Sequence, residues 1–337
     1  MGKGFLLLFM SEQNTEVNKN LKILVVRFSS IGDIVLTTPV IRTCALQINA
    51  EIHYLTKPGF KSLLEGNPYI SKIWTLDDDF NNLTDQLKAE RFDYVIDLHK
   101  NIRSLKLCFN LGVKRYTYNK TIWEKFLIVN FKIDILPKLH VVERYMEAVK
   151  KLGVINDGKG LDFFIDPSTD ISGIKPFGPY SVAVIGATHF TKRLPIQKWV
   201  ELINNNITTQ FVLLGGPGEK EAANIIIAQC GKNVINLAGL TSLQQSALLI
   251  SEAEIIITND TGMLHIAAAL KKPIISLWGG TLKEYGFWPY YPDGIDLNTN
   301  FEVKDLGCRP CSKFGRNDCP KGHFKCMYDL DVNKIDL

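Results

Sequence analysis

The chain has 337 residues, 46% hydrophobic and 22% charged, an ordinary water-soluble composition long enough for two domains with separate cores. No apolar run approaches the ~20 residues of a membrane span, which excludes a spanning helix. The net charge of +4 is modest, but residues 1–175 hold 24 Lys and Arg against 20 Asp and Glu, while residues 176–337 hold 15 of each, so the whole excess lies in the first half.

Residues 1–20 begin with the short apolar run Phe5-Leu6-Leu7-Leu8-Phe9-Met10 and then turn polar. The run falls short of the ~7–15-residue core of a secretory signal, and the stretch reads as a disordered leader. Lys22–Arg27 follows as a strand and Ile34–Ile48 as a helix. Ile52–Leu55, Ile73–Leu76 and Tyr94–Leu98 read as further strands. Helical patterns cover Asn81–Glu90, Ile102–Leu111, Ile122–Val129 and Val141–Leu152. The alternation predicts a doubly wound α/β domain over residues 21–170.

Two features of this half carry chemistry. The loop Arg27-Phe28-Ser29-Ser30-Ile31-Gly32-Asp33 follows the first strand. It is neither a dinucleotide fingerprint nor a Walker loop. Its small residues, Ser30 and Gly32, let backbone approach a ligand. Asp33 reads either as a helix N-terminal carboxylate or as a catalytic one. Residues 99–151 hold 12 basic and 4 acidic side chains, which suits a solvated basic face or an anionic partner.

The breaker-rich stretch from Asp166 to Pro179 reads as a linker. A second α/β pattern then runs over residues 171–337. Tyr180–Ile185, Phe211–Leu214, Val234–Leu237, Ile255–Ile257 and Ile274–Leu277 read as strands. Ile196–Asn204, Glu219–Ala228 and Ile266–Leu270 read as helices. Three polar loops sit at strand ends. Gly186–Pro195 brings Thr188 and Lys192, which suit a diphosphate. Leu214–Glu219 brings glycines for a turn and Glu219 for ribose hydroxyls. Thr258–His265 opens a helix with Asp260, Thr261, Gly262 and His265, where free amides suit a phosphate. Singly, each loop also reads as ordinary capping and turn chemistry; together they indicate one nucleotide site.

Of the seven cysteines, Cys44, Cys108 and Cys230 fall in apolar patterns. The other four form Cys308-x2-Cys311-x7-Cys319-x6-Cys326, a tail whose thiols are candidate ligands of a structural zinc, with His323 spare. Aromatic residues are not interleaved with the basic ones as a stacking platform requires, so no nucleic-acid partner is expected.

Arg27–Pro39 and Asn259–Leu270 resemble the two signature segments of glycosyltransferase family 9, the ADP-heptose:lipopolysaccharide heptosyltransferases. Gly186–Pro195, Leu214–Glu219, Asp97-Leu98-His99…Arg103-Ser104 and His140…Arg144 fall in the family's order, so the resemblance spans roughly residues 21–330. The chain departs from the family at His189-Phe190-Thr191, where relatives often carry charges, and at His99, where they often have glutamine.

The resemblance implies a GT-B fold: two Rossmann-like domains facing a central cleft, acceptor on the first and ADP-sugar on the second. It implies Asp33 as general base of an inverting transfer. Thr188 and Lys192 would hold the diphosphate and Glu219 the ribose, with Asp260, Thr261, Gly262 and His265 completing the donor site. Ser30, Gly32, Arg103, Arg115 and Arg144 become the acceptor candidates. The implied partners are ADP-heptose or a related nucleotide-sugar, an anionic lipopolysaccharide core and the inner-membrane surface, with the enzyme peripheral on its cytoplasmic face and no cofactor required.

Overall fold

The computed structural model describes residues 21–76 and 79–337, and the leader expected over residues 1–20 lies outside the described residues. The first half contains β1 (Lys22–Val26), α1 (Ile31–Val35), α2 (Thr38–Gln47), β2 (Glu51–Thr56), β3 (Lys72–Thr75), α3 (Phe80–Ala89), β4 (Tyr94–Asp97), α4 (Ile102–Leu111), β5 (Lys114–Thr117), α5 (Ile122–Phe131) and α6 (Val141–Met146). Its five strands are parallel in the order β3-β2-β1-β4-β5. Central β1 is apolar throughout after Lys22 because helices cover both faces of a parallel sheet.

Between Gly153 and Tyr180 the chain forms turns and extended stretches, consistent with its breakers. The second half contains β6 (Ser181–Val184), α7 (Ile196–Asn205), β7 (Phe211–Leu214), α8 (Lys220–Gln229), β8 (Val234–Asn236), α9 (Leu243–Glu252), β9 (Ile256–Asn259), α10 (Gly262–Ala269), β10 (Ile274–Trp278), β11 (Asn298–Glu302) and α11 (Lys325–Tyr328). Its six parallel strands run β11-β10-β9-β6-β7-β8. Counted from β6, this is the 3-2-1-4-5-6 order of a dinucleotide-binding fold, with the switch point between β6 and β9. The first sheet reverses likewise between β1 and β4.

Local differences from the expected elements have local causes. The helix expected over Ile34–Ile48 is two helices, because Pro39 is tolerated only in a first turn, here that of α2. The polar edge strands β5 (Lys-Arg-Tyr-Thr) and β11 (Asn-Thr-Asn-Phe-Glu) lack an apolar run, as edges commonly do. Helix α9 carries a capping box, Ser242 with Gln245, a signal present in the sequence.

The domains share apolar core. Ile34, Val35, Val141 and Tyr145 from the first half pack in one cluster with Ile256, Ile266 and Ala267 from the second. The N-termini of α1 and α10 meet directly. A Cβ on Gly32 would lie 2.4 Å from His265 Cδ2, and one on Gly262 would lie 2.6 Å from Ile31 Cβ. Beside them, His140 Nε2 donates to Trp288 O at 2.9 Å and Val141 N donates to Gly286 O.

Candidate active site

The loop after β1 is built around an ion pair between buried Arg27 and half-buried Asp33. Arg27 Nη2 stands 2.7 Å from Asp33 Oδ2, while its Nη1 donates to Leu98 O and its Nε to Ser29 O, both at 2.6 Å. Ser30 donates to the same Asp33 oxygen through Oγ at 2.9 Å and through its backbone N at 3.3 Å. Burial pushes the Asp33 carboxyl up, but the Arg27 charge and the Ser30 hydrogen bonds outweigh it and hold the pKa below its ordinary value. Arg27 is likewise desolvated, yet Asp33 keeps its pKa above the ordinary value. All these contacts fall on Oδ2, and none of them is made to Oδ1.

The facing wall comes from the switch point of the second sheet. Asn259, at the end of β9, accepts from Leu194 N at 3.0 Å and donates to the carbonyls of Val184, Ile185 and Gly186. This buried amide shapes the loop after β6. Lys192, from that loop, stands 2.7 Å from Asp260 Oδ2, which also accepts from Thr281 Oγ1 at 2.8 Å. Thr261 caps α10 by accepting from Met263 N at 3.1 Å.

Between the walls lies a cavity of about 530 Å³. Ser30, Gly32, Asp33 and Arg144 line it from one side. Thr188, Lys192, Asp260, Thr261, Gly262 and His265 line it from the other. His265 is buried and held neutral, its pKa lowered to about 4 by desolvation. It packs on Gly32 and joins the two walls.

Three expected site residues do not line the cavity. Arg115 is engaged with buried Asp97, its Nη2 2.9 Å and its Nε 3.0 Å from Oδ2, because β5 sets it beside the end of β4. Arg103 sits on the exposed face of α4. Glu219 accepts from Gly216 N at 2.9 Å and pairs with Arg193 at 3.3 Å, under the glycine turn and off the cavity wall.

Sequence reasoning missed the lysines that do face the cavity. Lys120, Lys125 and Lys313 line it together with Tyr285 and Phe287. Lys125 is buried, with its Nζ 5.1 Å from the ring centroids of both Tyr285 and Phe287. Burial pushes it down to about 7, with Arg144, Lys192 and Lys313 acting in the same direction and Asp33 opposing. Its place in the basic stretch 99–151 was a signal, but only the fold separates it from surface lysines.

The thiol-rich tail packs on the loop after β6. Thr191 N donates to Arg316 O, Arg316 N donates to Thr191 Oγ1 at 2.8 Å, and Cys311 N donates to Gly280 O. Cys308, Cys311, Cys319, Cys326 and His323 surround one small cavity of about 10 Å³. Among the described residues, no three His, Cys, Asp or Glu side chains are grouped to hold a metal ion.

The family profile described as glycosyltransferase family 9 (heptosyltransferase) matches residues 80–316. Lipopolysaccharide heptosyltransferase 2 of Salmonella typhimurium is 25% identical, the match covering 79% of this chain and 84% of that protein. Among solved structures, a glycosyl transferase family 9 protein of Veillonella parvula superposes with a TM-score of 0.71 at 20% identity, covering 93% of this chain and 94% of its own. The Escherichia coli heptosyltransferase WaaC, solved with ADP-2-deoxy-2-fluoro heptose, superposes with a TM-score of 0.61 at 23% identity over 86% of this chain and 95% of its own. These two structures share its fold of paired Rossmann-like domains.

Proposed function

The chain belongs to glycosyltransferase family 9, and from that premise we propose that it moves heptose from ADP-heptose to the lipopolysaccharide inner core with inversion at the anomeric carbon. The observation that carries this reading is one cavity with Asp33 on one wall and Lys192 beside the α10 N-terminus on the other. The relatives' names support the donor and acceptor classes.

In the proposed reaction Asp33 Oδ1 accepts the proton of the acceptor hydroxyl as its oxygen bonds to the anomeric carbon. The bond from that carbon to the diphosphate breaks, and the electron pair leaves with ADP. Lys192 and the first amides of α10 meet the charge that builds on the diphosphate. Asp260 holds Lys192 in position. A carboxylate kept below its usual pKa is a weak base. It suits a late proton transfer, in which the hydroxyl becomes acidic only as the new bond forms.

The first-domain wall suits an anionic acceptor. Arg27 is paired with Asp33 and Lys192 with Asp260, whereas among the described residues Lys125 and Arg144 make no direct ion pair: Lys125 packs on aromatic rings, and Arg144 donates to Thr121 Oγ1 and Tyr285 O. Carboxylates and phosphates on a sugar-lipid would supply it. Such an acceptor places the enzyme at the cytoplasmic face of the inner membrane. No described helix is long and apolar enough to cross a membrane.

For the tail we propose a structural zinc held by Cys308, Cys311, Cys319 and Cys326, which line one small space without being grouped closely enough to share an ion as they stand. Binding would draw the sulfurs inward. Metal analysis should find about one zinc per chain; zinc-free protein with all four thiols freely reactive would sink the assignment.

Mass spectrometry of the protein incubated with ADP-heptose and Kdo-lipid A or its heptosylated form tests the main reading. A heptose mass added to either acceptor is expected. Transfer from another nucleotide-sugar, with none from ADP-heptose, would overturn it.

A further inference from the structure

Helix α5 and the chain after it leave large apolar side chains uncovered. Trp123 is 75% exposed, Phe131 61% and Phe126 38%, and Ile133 and Ile135 beyond them are also exposed. The aromatic rings form one cluster, with Trp123 and Phe131 each 6.0 Å from Phe126 between centroids. A second segment joins from across the chain. Lys313 Nζ lies 5.5 Å over the Phe126 ring, and its neighbour Phe314 is 67% exposed. Lys132 fixes the junction by donating to Pro310 O at 2.8 Å. Isolated exposed apolar residues are unremarkable, but contiguous aromatics indicate a surface with a partner.

The character of the rim identifies that partner. Lys313 lies over the Phe126 ring and Lys132 follows Phe131 directly, with the acidic Glu124 and Asp134 in the same stretch. Rings with lysines beside them match the headgroup level of a bilayer, where the ring body is apolar and the cation meets lipid phosphate. The location also fits. Ile122 and Lys125 of α5, with Lys313 and Phe314, line the catalytic cavity, so the aromatic face borders it.

We infer that α5 and the Lys313–Phe314 segment form a docking face for an anionic lipid bilayer, with Trp123, Phe126, Phe131 and Phe314 at the headgroup level. The inference deepens the reading above, in which the acceptor is a lipid, by naming the surface that presents the cavity to it. Its test needs no acceptor.

The test is co-sedimentation of the full chain with vesicles of phosphatidylethanolamine containing about a quarter phosphatidylglycerol, and with phosphatidylcholine vesicles as the neutral comparison. Trp123→Ser and Phe131→Ser are made separately, so that one still reads if the other misfolds. The parent should partition onto the anionic vesicles, and each variant should lose at least ~tenfold in partition coefficient while melting like the parent. A parent that stays in the supernatant, or variants that partition equally well, would overturn the inference. So would variants that only convert an oligomer to a monomer, which would assign the face to self-association. If vesicle binding behaves as expected while heptose transfer fails, the reaction is misassigned and the docking face stands.

Discussion

Asp33 and Lys125 show how one cavity tunes two charges in different ways. Asp33 is half-buried, with a cation and two donors on one oxygen that hold its pKa below the ordinary value. Asp33→Ala should lower turnover by ~10²–10⁴, the usual range for a general base. ADP affinity by calorimetry should remain near that of the parent, because the groups proposed to hold the donor lie on the other wall; near-normal turnover in the variant would remove Asp33 from the chemistry. Lys125 is buried against aromatic faces without a direct ion pair, and its desolvation outweighs the opposing field of Asp33, so the folded protein disfavours its charge. That penalty is full below about pH 7, where folded and unfolded chains are both protonated. It is released as the pH rises from about 7 towards the ordinary lysine value of 10.5. Lys125→Met should therefore raise the melting temperature relative to the parent at acid pH, and the gap should narrow in alkali. A gap that widens with pH would show that the lysine has a partner in solution.

At the scale of elements, the site depends on two helix N-termini in contact. Helix α1 carries Asp33, and α10 begins beside Lys192 and Asp260; they approach so closely that neither Gly32 nor Gly262 has room for a Cβ. Gly32→Ala would drive a methyl into the buried His265 ring. The helices would have to part, moving Asp33 away from the wall that carries Lys192 and Asp260. Turnover should fall by up to ~10², with a stability cost of about 1–3 kcal/mol from overpacking. Gly59→Ala, where nothing lies within 4 Å, is the control and should be near neutral in both assays. Equal behaviour of the two variants would mean that the helix contact can yield without consequence.

Across the whole molecule, the basic excess of the first half acquires a direction. Part of it faces the cavity at Lys120, Lys125 and Arg144, and part adjoins the aromatic face at Lys132. Both would act on the acceptor side, so raising the salt concentration should weaken acceptor use more than donor use. The acceptor KM should climb with ionic strength while the KM for ADP-heptose changes less. A salt-insensitive acceptor KM would leave the basic stretch as a solvated face.

The loops that end β1, β6 and β9 were legible in the sequence because each is a polar break between a buried strand and a helix. A parallel sheet covered on both faces can produce that pattern only at its strand ends. Asp33, Lys192 and Asp260 could therefore be singled out as candidates from order, while their separate roles rested on the family resemblance. The sequence could not say which cations face the cavity. Arg115 and Lys125 sit ten residues apart in one basic stretch, yet β5 turns the first onto Asp97 and α5 turns the second into the cleft. Nor could it show that the thiol-rich tail closes over the donor loop or that Lys313 meets α5. Strand and helix periodicity reports which side of an element is buried; which element it is buried against depends on contacts between distant segments, and only the folded chain decides those.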